Sequence, residues 1–340
     1  MRLLKFDAIP GFGKWLETAA SIVTVASVLV SATLYLVERP DRERTAMIGA
    51  WTVVTGMDGK RASGGRDEAL RQLKAGGQSL AGIILDDAIL EGIDLSNTKL
   101  AYSSLRNVEF SRCSLRASDL NHAILSGGHH RNGCDLRNAN LEDAQVDRAV
   151  FADCACNGVV LYKAHGDSDT SFNGAVMHNA SISNSSLQGA IFENADLEKS
   201  RFIETNVEDA SFQRAKVSNW RWVGVLAARA RLQKIAGSKA QFTLQTVLSE
   251  AHFDQSRLEN AMFSDSNLRG ASFFGAVLPG TIFKNCDLSN VDFTSADLAG
   301  VRFEKCLVSG AVFRSAKMDV KNAFVDCQGV PSELPSGGIR

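Results

Sequence analysis

The chain has 340 residues but only five prolines and three tyrosines, and its formal net charge is −1. Near-neutrality excludes, for the chain as a whole, both a strongly basic nucleic-acid binder and a strongly acidic mimic, so charge has to be read locally. The seven cysteines, Cys113, Cys134, Cys154, Cys156, Cys286, Cys306 and Cys327, are odd in number and form no paired CxxC. That argues against a disulfide framework or a zinc ribbon and fits a reducing compartment. Catalytic signatures are missing too. There is no GxSxG and no HExxH, and near Gly59 and Lys60 a phosphate loop would need a glycine where Val54 stands and a Ser or Thr after Lys60. An enzyme is therefore the poorest candidate, and no cofactor is expected.

Long apolar runs are also scarce, with one exception. Residues 18–37, TAASIVTVASVLVSATLYLV, carry no charge, and 20 residues at about 1.5 Å each match the roughly 30 Å of a bilayer core. The run predicts one transmembrane helix after an N-terminal tail, residues 1–17. Trp15 and Tyr35 lie near its ends, and Lys14, Glu17, Glu38 and Arg39 bracket it. Arg2, Lys5 and Lys14 before the run balance Arg39, Arg42 and Arg44 after it, so the charge rule does not orient it. The reduced cysteines place the large domain in the cytoplasm.

Residues 38–79 read as a helical linker and cap. Met47, Trp51 and Val54 have helical spacing, MDGKRASGG supplies turn residues, and RDEALRQLKAGG has acids in its first turn and a glycine stop. This second helix is expected to cover the first open edge of a stacked structure beginning near residue 80.

From residue 80 the chain is a repeat. In CDLSNVDFTSADLAGVRF, Leu288, Phe293, Leu298 and Phe303 stand five apart, each preceded two places earlier by Cys286, Val291, Ala296 or Val301. A helix asks for a period of about 3.6 and a strand for 2, so neither explains a strict five. The same spacing runs through residues 80–125, 136–161, 172–217 and 253–318. With copies such as Ala195-Asp196-Leu197, Ala139-Asn140-Leu141 and Ala296-Asp297-Leu298, the pattern resembles the pentapeptide-repeat family over roughly residues 80–325.

The resemblance implies a mainly β fold, a right-handed quadrilateral parallel β-helix in which each five-residue unit is one side and four units complete a coil. Residues 20 apart then stack about 4.8 Å apart. Phe253, Phe273, Phe293 and Phe313 become one ladder, Phe263, Phe283 and Phe303 the opposite one, and Phe172, Phe192 and Phe212 face Phe202. The small residue two places before each large one must also point inward, which makes Cys113, Cys134, Cys154, Cys286 and Cys306 stacked core residues; about ten coils are expected, a rod of roughly 48 Å.

Functional residues then have to lie outside the rod or at its irregularities. His129 and His130 in SGGHHRNGC and His165 with Asp167 in KAHGDSDT mark two phase shifts, and their spacing is read as exposed loops rather than a metal site. The largest break is residues 218–250, where VGVLAARARLQKIAG suggests a helix. Between Ala210 and Ser249 there is no acid, while Arg214, Lys216, Arg221, Arg229, Arg231, Lys234 and Lys239 accompany Trp220 and Trp222. These nine residues are the candidate patch for an anionic partner, on a basic, partly helical insertion between two β-helical parts, 80–217 and 251–327.

The leading expectation is a non-catalytic, membrane-anchored protein-protein interaction scaffold in the bacterial inner membrane, with a protein partner and an open last coil able to pair with a second copy. One alternative comes from the resemblance: some members imitate DNA and bind type II topoisomerases such as gyrase. Residues 80–326 hold 29 acids and 25 bases, which argues against that mimicry. The other alternative is binding of anionic lipid or nucleic acid through 218–250, nucleic acid being the less favoured. Residues 328–340 are expected to be a disordered tail.

Overall fold

The computed structural model describes residues 12–56, 65–131 and 133–335, with side chains from Thr24 onward except that of residue 131. Helix α1, Phe12–Thr55, is continuous through Pro40. Its exposed apolar face includes Val25, Val28, Leu29, Leu34 and Leu36. The apolar run, residues 18–37, lies wholly within α1. It then meets Glu38 and Arg39, which pair with Arg42 and Glu43 at 2.8 and 2.7 Å. Among the described residues no helix is long and apolar enough to cross a membrane, so the transmembrane expectation is not supported there. Residues 18–23 of the expected span, the 1–11 part of the tail and the 57–64 turn lie outside the described side chains.

The last turns of α1 bury Ala50 and Val54 against helix α2, Arg66–Ala75, which buries Ala69, Leu70 and Leu73. These apolar residues continue the column begun by Leu80, so α2 closes the first coil. Lys74 anchors it: its Nζ sits 2.8 Å from an Asp94 oxygen and 3.1 Å from Ser96 Oγ. Although burial opposes it, hydrogen bonding from Lys74 and Ser96 lowers the Asp94 carboxyl to about 2.

From Leu80 onward the chain winds as a parallel solenoid of about 12 turns. Backbone pairs such as Ile84 with Ser104, Ile89 with Glu109, Asp94 with Ser114 and Lys99 with Asp119 define four sides per coil at an offset of 20. We number these sides one to four in that order. Nine strands of side four, from Val160–Tyr162 to Phe324–Val325, form one continuous sheet. At nearly every corner a residue adopts a left-handed backbone, for example Asn107 at φ 53° and Asn290 at φ 59°. Asn, Asp and Gly tolerate this conformation best, which is why they recur at that place in the repeat.

The interior is filled. On side two Phe253, Phe273, Phe293 and Phe313 stack at centroid distances of 4.6, 5.1 and 5.0 Å. Phe263, Phe283 and Phe303 stack on side four at 4.8 and 5.2 Å. The two ladders meet edge to face across the core, as Phe253 does with Phe263 at 84°. The small inward position also has a polar solution. Its Ser, Thr or Cys donates to a carbonyl of the preceding coil: Ser185 to Leu161 at 2.9 Å, Thr281 to Leu258 at 2.8 Å, Cys306 to Phe283 at 3.3 Å. A buried hydroxyl or thiol there meets an acceptor, which removes most of its desolvation penalty.

The expected helical insertion is corrected. Residues 218–250 continue the coil, with Arg221–Val223 pairing with Arg201–Ile203 and with Gln241–Thr243. The period is hidden by volume compensation. Trp220 and Trp222 are both buried in the core, and the neighbouring large positions are held by Ala227 and Gly237. A Cβ on Gly237 would lie 2.5 Å from backbone atoms of Val217 and Ser218. Real departures are small. The offset becomes 21 after His129, after His165 and after Gln241, so single residues are inserted at three corners. A fourth insertion, helix α3, Val320–Ala323, precedes Phe324, which pairs with Phe303. The expected disordered tail is also partly corrected: Gln328 and Glu333 pair with Leu307 and Val312, and Glu333 makes a two-pronged ion pair with Arg314 at 2.6 Å. Residues 336–340 lie outside the described part.

Candidate interaction surfaces

A solenoid with a filled core leaves its four sides, its corners and its ends for function. Clefts of about 550 and 340 Å³ lie where the helices meet the first coil, one lined by Glu43, Met47 and Gln72, the other by Lys74, Ser96 and Lys99. Both are shallow and open.

The nine candidate residues do not form one patch. Trp220 and Trp222 are 1% and 0% exposed, their indole N–H groups without acceptors, so neither can touch a partner. Lys216 reaches Asp196 at 3.4 Å, and Arg229 forms a two-pronged pair with Asp209, both bonds 2.8 Å. The Asp209 carboxyl is held below its usual range chiefly by that hydrogen bonding from Arg229. Arg214, Arg221, Arg231, Lys234 and Lys239 have no ion-pair partner among the described residues.

The coil then distributes these five around the rod. Arg231 faces outward on side two, paired in register with Ser211, and Arg214 and Lys234 occupy the same corner in successive coils. Arg221 is on the opposite side, stacked in register over Arg201, with Lys239 in the next coil at the corner before its register partner Gln241. The result is a cationic belt with two concentrations, on sides two and four. Sequence reading found the charges but not their division, because division depends on the period continuing through 218–250.

The candidate metal donors also separate. His130 is 1% exposed inside the side-two ladder rather than in a loop. His165 Nδ1 is 2.7 Å from an Asp147 oxygen, and Asp167 accepts from the backbone N–H of Arg148 at 2.8 Å. A cluster that the sequence did not signal is His178, Asp196 and Glu198, the one set among the described residues whose three donor atoms lie within 4.8 Å of one another. Its members come from adjacent coils: His178 and Glu198 stand 20 residues apart and so stack, while Asp196 has no such spacing to either. His178 Nε2 already contacts Asp196 at 2.9 Å.

The cysteines are where the repeat puts them. Cys113, Cys134, Cys154, Cys156, Cys286 and Cys306 are buried and Cys327 partly so, all as thiols. Burial pushes Cys156 well above the ordinary thiol range and Cys113 up to about 11.

These features define a parallel β-solenoid whose working surface is its exterior. Models of pentapeptide repeats match residues 88–127, 168–194 and 180–219, and a pentapeptide repeat region model matches 238–313. Together they support membership of the pentapeptide-repeat family, and the last match begins inside the stretch expected to be an insertion. Among solved structures the chain is similar to HetL, a pentapeptide repeat protein involved in heterocyst differentiation regulation in the cyanobacterium Nostoc. That similarity has 19% identity, 80% of this chain, 98% of that chain and a TM-score of 0.31. It is similar also to QnrB1, a plasmid-mediated fluoroquinolone resistance protein, at 17% identity over 68% of this chain and 92% of that one, TM-score 0.23. A pentapeptide repeat protein of the Arabidopsis thaliana thylakoid lumen matches at 28% identity over 31% of this chain and 68% of that one, TM-score 0.22. Such low global agreement supports no statement about function. No curated protein matches.

Proposed function

We propose that the chain is a non-catalytic protein-protein interaction scaffold, a rigid rod that presents flat polar sides to a partner. The observation that carries this reading is the unbroken buried column from Leu80 to Phe313, which confines recognition to the outside of the rod. The unpaired cations Arg214, Arg231 and Lys234 on side two favour an acidic face on that partner. The exposed apolar residues of α1 support attachment of the rod to a membrane through its N-terminal end, with the large domain cytoplasmic. An anionic lipid surface is a second reading of the same cations, favoured by the absence of acids between Ala210 and Ser249. Imitation of DNA toward a topoisomerase is supported less well, because those two acid-free coils interrupt any continuous acidic side.

Affinity capture from membranes and cytosol tests the reading, comparing the intact chain with the triple variant Arg214→Glu, Arg231→Glu, Lys234→Glu. A stoichiometric protein partner lost in the variant is expected. Equal capture by both forms would dismiss the side-two surface, and recovery on anionic vesicles alone would select the lipid reading.

A further inference from the structure

Side three has one place where outward donors from two coils converge. On this side the residue just before a large inward side chain is often aspartate, whose carboxylate accepts from the backbone N–H two places on, as Asp94 does from Ser96 at 2.8 Å and Asp135 from Arg137 at 3.0 Å. The residue two places on is elsewhere neutral or basic. After Asp196 it is a second acid, Glu198. One coil earlier His178 lies next to Glu198, because Val176 pairs in register with Asp196 and the Asn179 N–H donates to the Glu198 carbonyl at 3.0 Å.

The three side chains come close. His178 Nε2 is 2.9 Å from Asp196 Oδ1, and one donor atom from each of His178, Asp196 and Glu198 lies within 4.8 Å of the other two. Bonds of about 2.0–2.2 Å to a tetrahedral ion put neighbouring donors about 3.4 Å apart. The separations here bracket that value, so side-chain rotation closes the set around an ion. The backbone beneath is fixed by the coils: the Met177 N–H donates to the Asp196 carbonyl at 2.8 Å, and the His178 N–H to Asn157 Oδ1 at 3.1 Å.

Two cations share the neighbourhood. Lys216 Nζ is 3.4 Å from Asp196 Oδ2, and Lys199 Nζ is 3.2 Å from Glu198 Oε1. Both lysines are well exposed, and exposed ion pairs contribute little, so a divalent ion displaces them at small cost. An ordinary surface ion-pair network would need those lysines, whereas a metal site gains from their loss.

We propose that His178, Asp196 and Glu198 bind one Zn²⁺ ion on side three. Imidazole with carboxylate suits zinc, whereas Mg²⁺ and Ca²⁺ ask for six or more ligands, nearly all oxygen. The two carboxylates balance the charge of the ion. Nε2 presents its lone pair to the metal, so the ring proton is carried on Nδ1. Three protein donors leave the fourth position open to the outside of the rod, for water or for a donor from a partner. No other three such donors converge among the described residues, so one ion per chain follows.

The test uses the full-length protein, stripped with a chelator and titrated with Zn²⁺ by calorimetry and in competition with a chromophoric zinc indicator. One Zn²⁺ per chain is expected. His178→Ala and Glu198→Gln should each weaken it by more than about 10- to 100-fold, the range for losing only a supporting contact, with Tm unchanged because both side chains face outward. Lys216→Met removes a competing cation and should tighten binding about two- to fivefold. His165→Ala, which removes the comparable contact with Asp147 elsewhere on the rod, should change nothing. Absence of a stoichiometric ion, binding that survives both ligand substitutions and is therefore an adventitious ion only, no tightening in Lys216→Met, or equal occupancy by Mg²⁺ would overturn the proposal.

Discussion

Phe273→Ala is the perturbation that the packing makes most quantitative. Phe273 is fully buried, stacked on Phe253 at 4.6 Å and on Phe293 at 5.1 Å, with edges of Phe263 and Phe283 each 5.8 Å away. Truncation removes the ring's transfer energy and leaves a cavity that β-ladders above and below cannot close. The expected cost is at the upper part of about 3–5 kcal/mol, of which the two lost stacks supply about 0.5–1.5 each. Phe273→Leu should cost much less, because Leu90 and Leu232 already occupy the same inward place in other coils. Nearest-neighbour coupling in a stacked array gives a second handle. Phe273→Ala and Phe293→Ala should couple measurably, whereas Phe273→Ala and Phe313→Ala, two coils apart, should add. Guanidinium unfolding followed by circular dichroism reads all of these. A Phe273→Ala cost below about 1 kcal/mol, the ordinary level for surface changes, would refute the ladder.

Other outcomes rest on the same kind of contact. Gly237→Ala should destabilise the rod even though it adds apolar volume, because the new methyl meets backbone at 2.5 Å; unfolding midpoints of the variant and the native chain check this. The Lys74–Asp94 contact should respond to acid. Asp94 is lowered in the folded state to about 2, below its unfolded value of about 3.9, so its contribution is complete above about pH 4 and lost as pH falls toward about 2. Amide exchange should therefore show α2 loosening in that window ahead of the coils, and Asp94→Asn should remove the pH dependence while leaving the coils protected.

Much of this was legible from spacing alone. Phe253 through Phe313 and the stacked cysteines announce their places because one large and one small inward residue recur in every five. Three things were not legible, each for a physical reason. Trp220 and Trp222 read as partners of a basic patch, since a sequence cannot show that Ala227 and Gly237 give up volume for them. His130 read as a loop residue beside a phase shift, although the inserted residue comes after it and the ladder continues through it. The period stacks His178 on Glu198, one coil of 20 residues apart, but does not show that Asp196 leans toward them as well.

The unbroken course of the coil through 218–250 is most directly measured by a cross-link. Arg221 and Gln241 are register partners on the outside of side four, whereas a helix over the same 20 residues would hold them about 30 Å apart. With Arg221→Cys and Gln241→Cys in the full-length protein, a short bifunctional thiol reagent should join the two in high yield while the buried native thiols stay unmodified. Failure to cross-link in a folded sample, with free reaction of both new thiols singly, would contradict the continuous solenoid.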